Sequence, residues 1–187
     1  MTKSKVLYIT GRGGDHKKGL GGYINTLAKD FQGLSVDVPF LRQDLDDQIH
    51  SIRNAISQCS GGTVIANSYG AYLTLLSLID FDHDAEQVVL LSPVLGRAMA
   101  KDRMYYSRPP ATVRVQNAVQ ERRINFPERS SIYIGDCDEL YDPELLSQYA
   151  DLIGKEKVYV LKGQRHNIDK DFMEDILMAI LSLQISG

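Results

Sequence analysis

The chain has 187 residues, of which 43% are hydrophobic and 24% charged, and its formal net charge is −3. These values are typical of a globular chain long enough for one sizeable core, and they lack the basic balance of a nucleic-acid-binding protein. The apolar run at residues 6–10 is too short for a signal peptide, and no run is long enough for a membrane span. We therefore expect a cytoplasmic protein that neither binds nucleic acid nor crosses a membrane.

Strands and helices are predicted to alternate along the chain. Short β-rich runs predict strands at residues 5–10, 34–38, 63–66, 87–92, 131–134 and 157–161. Helical spacing predicts helices at residues 20–31, 44–59, 69–79, 143–153 and 168–185. Asp142 is a candidate N-cap for the helix that begins at Pro143.

Several of the predicted strands are nearly continuous apolar runs, which is typical of strands buried on both faces of a parallel sheet. The element order predicts one α/β domain over residues 1–187, a three-layer α/β/α sandwich with a mostly parallel six-stranded sheet.

The connection between the fourth and fifth strands, residues 93–129, is longer than a crossover needs. Thr112 is a candidate cap for a helix at about residues 113–123. The segment is either a cap or lid over a binding site, or one crossover helix with two irregular arms. Tyr105 and Tyr106 in this segment are candidates for substrate contact. Its arginines either attract an anionic group or simply cover an exposed surface.

Chemically capable side chains follow three different strands. In an open α/β sheet, ligands bind beyond the carboxyl ends of the strands. Ser68 follows the third strand at the corner where a helix begins, Asp136 and Asp138 follow the fifth strand, and His166 follows the sixth. The sequence therefore places a serine, an acid and a histidine at one sheet edge, in that chain order.

This arrangement resembles the α/β-hydrolase superfamily, and most closely its small single-domain serine hydrolases, such as the retinoblastoma-binding-protein-9-like group. The family's G-x-S-x-G elbow reads Ala66-Asn67-Ser68-Tyr69-Gly70, with alanine in place of the first glycine. The resemblance covers the element order of essentially the whole chain, but its sharp motifs cover only a few short stretches.

Two further motifs carry the resemblance. The acid motif G-x-x-D-x-x-V-P matches at Gly135 and Asp138, with Tyr141 in place of valine and the proline one residue late. Asp136 is the alternative acid. The histidine motif G-x-x-H matches residues 163–166 and ends at His166.

The resemblance implies a function for these residues. Ser68 would be the nucleophile, His166 the general base and Asp138 the orienting acid of an enzyme that cleaves a carboxylic ester or thioester of a small substrate. The reaction would pass through an acyl-enzyme and use neither a metal nor a cofactor. The backbone N–H groups of Tyr69 and Arg12 would form the oxyanion hole, with Gly13 as the alternative to Arg12.

Residues 11–22 include six glycines, which allow the backbone to approach a ligand closely. Gly13 and His16 in this stretch are further candidates for substrate contact. A dinucleotide fingerprint fails at His16, and a phosphate-binding loop fails at Leu20 and Gly21, so nucleotide binding is disfavoured.

Two other functions stay open at this point. The Ala66 and Tyr141 departures leave room for a hydrolase-fold binding protein with little or no turnover. An acyltransferase would use the same three side chains as a hydrolase.

Overall fold

The structure is a computed structural model and describes residues 5–95 and 109–182. Six strands form one sheet in the order β2-β1-β3-β4-β5-β6, and each pairs in parallel with its neighbours. They are β1 (Lys5–Ile9), β2 (Asp30–Leu34), β3 (Thr63–Asn67), β4 (Gln87–Leu91), β5 (Ser131–Gly135) and β6 (Val158–Leu161). The prediction of a six-stranded parallel α/β sheet is confirmed.

Helices cover both faces of this sheet. They are α1 (Gly19–Leu27), α2 (Val38–Leu41), α3 (Leu45–Gln58), α4 (Ser68–Ser77), α5 (Thr112–Gln120), α6 (Pro143–Ile153) and α7 (Lys170–Ser182), and a 3₁₀ turn covers Lys155–Lys157.

The alternation of side chains along β1 divides the core into two clusters. Leu7 and Ile9 belong to the cluster that includes α3, α4, α5 and α6. Val6 and Tyr8 belong to the opposite cluster, with α1 and α7. Successive side chains of a strand point to opposite faces, so a strand with helices on both sides is apolar at every position. This is the predicted three-layer arrangement.

The predicted position of the second strand is wrong. It was expected at residues 34–38, whereas β2 ends at Leu34 and the preceding helix ends at Leu27 instead of residue 31. β2 is an edge strand with the sequence Asp-Phe-Gln-Gly-Leu, which carries little apolar alternation. Its pairing with β1, from Lys5 opposite Asp30 onward, sets its position. The more strand-like residues 34–38 instead lead into α2, where Asp37 accepts a hydrogen bond from the Phe40 amide.

The described part of the long connection contains a crossover helix. α5 begins at Thr112, close to the expected position, and buries Val115, Ala118 and Val119 in the cluster that also contains α4 and α6. Tyr105 and Tyr106 lie outside the described residues, as does the rest of residues 96–108. A cap or lid in this segment, and substrate contact by these two tyrosines, therefore stay predictions.

The helices in residues 5–95 and 109–182 do not include a membrane span. No helix there is both long enough and apolar enough to cross a bilayer.

Candidate active site

Ser68 occupies a tight corner between a strand and a helix. β3 ends at Asn67 and α4 begins at Ser68, whose φ is +53°. This left-handed conformation is strained for a residue with a side chain. The neighbouring backbone is close, because a Cβ on Gly70 would overlap the Thr10 carbonyl oxygen and one on Gly11 would lie 3.3 Å from the Ser68 Cβ. The corner therefore places the serine at the carboxyl edge of the sheet.

Ala66 stands where the elbow motif has its first glycine. Its side chain is fully buried in the cluster on the α3 and α4 side of the sheet. On the flanking strands it lies in register with Ile9 and Leu90. The additional methyl group is thus part of the core, and the Ser68 corner forms with alanine at this position.

The structure brings Ser68, His166 and Asp138 together. The Ser68 Oγ lies 2.8 Å from the His166 Nε2, and the His166 Nδ1 lies 2.9 Å from the Asp138 Oδ2. The Asp138 side chain is fully buried, whereas that of His166 is 24% exposed. Because a carboxylate only accepts hydrogen bonds, Nδ1 carries the ring proton and donates to Asp138. Nε2 then accepts a hydrogen bond from the Ser68 hydroxyl group. The imidazole is thus oriented as a base toward the serine.

The two candidate carboxylates make different contacts. Asp138 also accepts a hydrogen bond from the Leu140 amide at 2.8 Å, through its other oxygen. Asp136 accepts from the Gly163 amide at 2.7 Å, which joins the loop after β5 to the loop after β6. The carboxylate in contact with His166 is therefore Asp138. Asp142 caps α6, as predicted, by accepting from the first-turn amides.

Cys137 lies between these two carboxylates and is exposed. A hydrogen bond with Asp136 and the nearby negative charge raise the pKa of the Cys137 thiol. The thiolate, which is the reactive form, is therefore disfavoured at this position.

Gln164 fastens the loop that carries His166. Its buried side chain accepts from the Asp169 amide at 2.8 Å and donates to the Asp169 Oδ2 at 3.2 Å. The Gln164 backbone carbonyl accepts a hydrogen bond from the Cys137 amide, and a Cβ on Gly135 would overlap the same carbonyl oxygen. These contacts hold the Asp138 and His166 loops against each other. Gln164 was not predicted as a site residue, and its only signal in the sequence is its place inside the G-x-x-H motif.

Among the described residues, the backbone N–H groups of Tyr69 and Arg12 donate to no other group and are the candidates for an oxyanion hole. The Tyr69 amide lies in the first turn of α4, where N–H groups have no acceptor within the helix. In the two described ranges no group accepts a hydrogen bond from the Arg12 amide, whereas the Gly13 amide donates to the Val36 carbonyl at 2.7 Å. Arg12 is therefore the better second donor of the two.

The Arg12 and Tyr69 side chains also meet. The Arg12 guanidinium lies 5.7 Å from the centre of the Tyr69 ring, within the range of a cation–π contact. Burial raises the pKa of Tyr69, and the positive charge of Arg12 partly opposes that rise. This contact links the loop after β1 to the first turn of α4.

His16 faces the edge strand. Its Nδ1 lies 2.8 Å from the Ser35 Oγ, and its backbone N–H donates to the same oxygen at 3.0 Å. Its ring lies against Gly33 and Phe31. These contacts give His16 a structural role at β2, and substrate contact by His16 or Gly13 stays a prediction.

A groove of about 630 Å³ lies beside His166. Its apolar lining, Leu20, Tyr23, Ile168 and Met173, was not predicted as part of a site. In the sequence these side chains could not be told apart from the core-facing residues of their helices. Within the part of the chain that the structure describes, no group of three or more His, Cys, Asp or Glu side chains is placed to hold a metal ion.

The strain at Ser68 predicts an unusual order of stability between two inactive variants. Ser68→Gly should be about 0.5–1 kcal/mol more stable than Ser68→Ala, since left-handed strain of about 1–2 kcal/mol outweighs the entropy that glycine adds to the unfolded chain. Both variants lose the bond to His166, so the difference isolates the backbone. Urea unfolding midpoints at equal m-values would measure it. An alanine variant as stable as the glycine variant would show that this corner is not strained.

Neither a protein-family model nor a curated protein sequence matches this chain. Solved structures do. The monoacylglycerol lipase of Paleococcus ferrophilus is 16% identical, with a TM-score of 0.68, over 98% of this chain and 96% of the lipase. A carboxylesterase of Nitrososphaera gargenis is 16% identical, with a TM-score of 0.69, over 97% and 90% of the two chains. Est1E from Butyrivibrio proteoclasticus is 17% identical, with a TM-score of 0.66, over 98% and 88%.

At sequence identities of 16–17%, this structural similarity establishes the fold alone. The shared fold explains why a serine, a histidine and an aspartate from three loops converge at one sheet edge. The chain has the α/β-hydrolase fold.

Proposed function

We propose that the chain is a serine hydrolase that cleaves a carboxylic ester or thioester of a small molecule through Ser68, His166 and Asp138. The observation that carries this proposal is the continuous hydrogen-bonded series from the Ser68 hydroxyl through the imidazole to the buried carboxylate. The strained corner at Ser68 adds support, because strain of this kind clusters at functional sites. The similar structures include a lipase and a carboxylesterase, which agrees with this reaction class.

The proposed reaction has two halves. Ser68 Oγ attacks the acyl carbon while its proton passes to His166 Nε2, and Asp138 stabilises the resulting imidazolium. The tetrahedral oxyanion accepts hydrogen bonds from the Tyr69 and Arg12 amides. Nε2 then gives its proton to the leaving oxygen or sulfur, which leaves an acyl-enzyme on Ser68. In the second half, water gives a proton to Nε2 and attacks the acyl carbon. The bond between that carbon and Ser68 Oγ then breaks, Nε2 returns its proton to Oγ, and the carboxylic acid leaves.

Each of these proposed steps is carried out by side-chain and backbone groups of the chain together with water.

Membership in the small single-domain hydrolases of the retinoblastoma-binding-protein-9-like group is part of the proposal. It rests on the element order and the motifs around Ser68, Asp138 and His166.

The direct test is covalent labelling with a fluorophosphonate probe, which reacts with activated serines. We expect labelling of the folded wild-type chain and none of Ser68→Ala or of heat-denatured protein. Mass spectrometry of the labelled peptide should place the adduct on Ser68. Folded wild-type protein that takes up no label would contradict the proposal and favour a binding protein with this fold.

Gln164 is predicted to act as a positioning residue for His166. Gln164→Ala removes both contacts with Asp169, so we expect kcat for ester hydrolysis to fall about tenfold with little change in KM, because a misplaced base slows chemistry more than binding. Gln32→Ala is the matched control, since it removes an exposed bond to Gln58 far from the serine. Equal kcat values for the two variants would show that Gln164 does not position the histidine.

A further inference from the structure

The groove beside His166 is built by two helices and one loop on the same side of the sheet. The first turns of α1 contribute Leu20 and Tyr23, and the loop before α7 and its first turn contribute Ile168 and Met173. Asn67 and His166 also line it, and the His166 Nε2 lies 2.8 Å from the Ser68 Oγ. With a volume of about 630 Å³, it falls within the usual range for sites that bind small organic molecules.

The position of this groove relative to the reacting atoms identifies which half of an ester it can hold. In acyl transfer, the histidine must reach the leaving group in order to protonate it. His166 lines the groove, while neither proposed oxyanion donor, Arg12 or Tyr69, does. The carbonyl oxygen of a bound ester points toward those donors. The groove therefore extends from the leaving-group side of the ester.

The lining also restricts the chemistry of the occupant. Four of its side chains are largely apolar, and they come from elements that pack on the core. The charged pair at its rim, Lys170 and Glu174, bonds internally, with the Nζ 3.4 Å from the Oε1. A charged group placed here would lose water, and the two charged side chains of the described lining already pair with each other. These features favour a neutral and apolar occupant.

We propose that this groove binds the leaving group of the substrate and selects a neutral, apolar alcohol. The inference rests on the proposed serine hydrolase activity and adds its substrate class: esters in which the larger apolar part lies on the alcohol side. Asn67, which lines the groove, directly precedes the proposed nucleophile, and a Cβ on Gly11 would lie 3.4 Å from its side-chain nitrogen.

The test varies the two sides of the ester separately. With butyrate as a fixed acyl group, kcat/KM for the hexyl ester should exceed that for the methyl ester by at least about tenfold, because each buried methylene contributes to transition-state binding. Leu20→Trp fills the groove and should bring the hexyl-to-methyl ratio close to one, chiefly by lowering kcat/KM for the hexyl ester. Ile168→Trp is a second variant with the same expected effect.

Val113→Trp is the matched control, since Val113 is 66% exposed on α5 and lies outside the groove. It should keep the wild-type ratio.

Three outcomes would overturn the inference. One is a flat alcohol series in a wild-type chain that the fluorophosphonate probe labels. Another is a Leu20→Trp variant that loses methyl and hexyl esters equally. A third is a Leu20→Trp variant that instead loses its selectivity for acyl-chain length among methyl esters of longer acids. That result would assign the groove to the acyl chain. Absence of both labelling and hydrolysis would remove the proposed activity itself, so the probe separates the two failures.

Discussion

Replacing Ser68 with alanine should abolish acyl-enzyme formation and lower kcat for ester hydrolysis by a factor on the order of 10⁴–10⁶. Asp138→Asn should lower it by about 10⁴. The asparagine amide would donate to the His166 Nδ1 and force the ring proton onto Nε2. In that tautomer the imidazole cannot accept the Ser68 proton, although the geometry of the three residues hardly changes.

Asp136→Asn is the matched control for this prediction. Its amide oxygen can still accept from the Gly163 amide, and Asp136 does not contact His166 in the described structure. We expect it to retain kcat within a few-fold of the wild type. Initial rates with a short-chain ester, measured on protein with unchanged far-UV circular dichroism, supply the comparison. Turnover by Ser68→Ala equal to wild type would refute the nucleophile, and equal losses for the two asparagine variants would refute the choice of acid.

The second large effect is on stability, at Gly70. A Cβ at this position would overlap the Thr10 carbonyl oxygen at the end of β1 and would also touch the buried Ile9 side chain. A backbone atom at the centre of a sheet cannot move aside as a flexible side chain can. Gly70→Ala should therefore destabilise the fold by about 3 kcal/mol, the upper part of the range for overpacked sites.

Thermal unfolding tests this prediction. For a chain of this size, a loss of about 3 kcal/mol lowers Tm by roughly 6–12 °C. Gly22→Ala in α1 is the control, because the nearest atom to its new Cβ would be the Lys17 carbonyl oxygen at 3.1 Å. Its steric cost is smaller, and it gains from the higher helix propensity of alanine. A Gly70→Ala variant that melts with the control would show that the elbow has more room than the structure shows.

Some helices and strands could be predicted because local sequence determines where they begin and end. α6 begins and ends where it was predicted, since Asp142 and Pro143 fix its start and its apolar face matches helical spacing. The central strands β1, β3 and β4 were found because burial on both faces leaves a continuous apolar run.

The position of the edge strand β2 could not be predicted from local sequence in the same way. β2 is half-exposed, and what places it is hydrogen bonding to β1, which a local pattern does not contain. The residues predicted to form this strand have better β-character than those that do. Pairing decided the outcome over propensity, as it often does for edge strands.

The candidate site shows the same division. Chain order and the position of each residue after a strand brought Ser68, Asp138 and His166 to one edge, because parallel strands deliver their carboxyl ends to the same side. The choice between Asp138 and Asp136 needed the structure. Both follow β5 within the same loop, and only the path of that loop directs one toward His166 and the other toward Gly163.

The sequence by itself therefore determined the class of fold and that a serine, a histidine and an acid from the loop after β5 meet at one edge, since both depend on which residues follow which strands. Tertiary structure alone decided the position of β2, the role of Gln164 and the groove between α1 and α7. Each of these depends on contacts between segments far apart in the chain. Leu20 and Met173 illustrate the reason: an apolar residue on a helix looks the same in sequence whether it faces the core or an open groove.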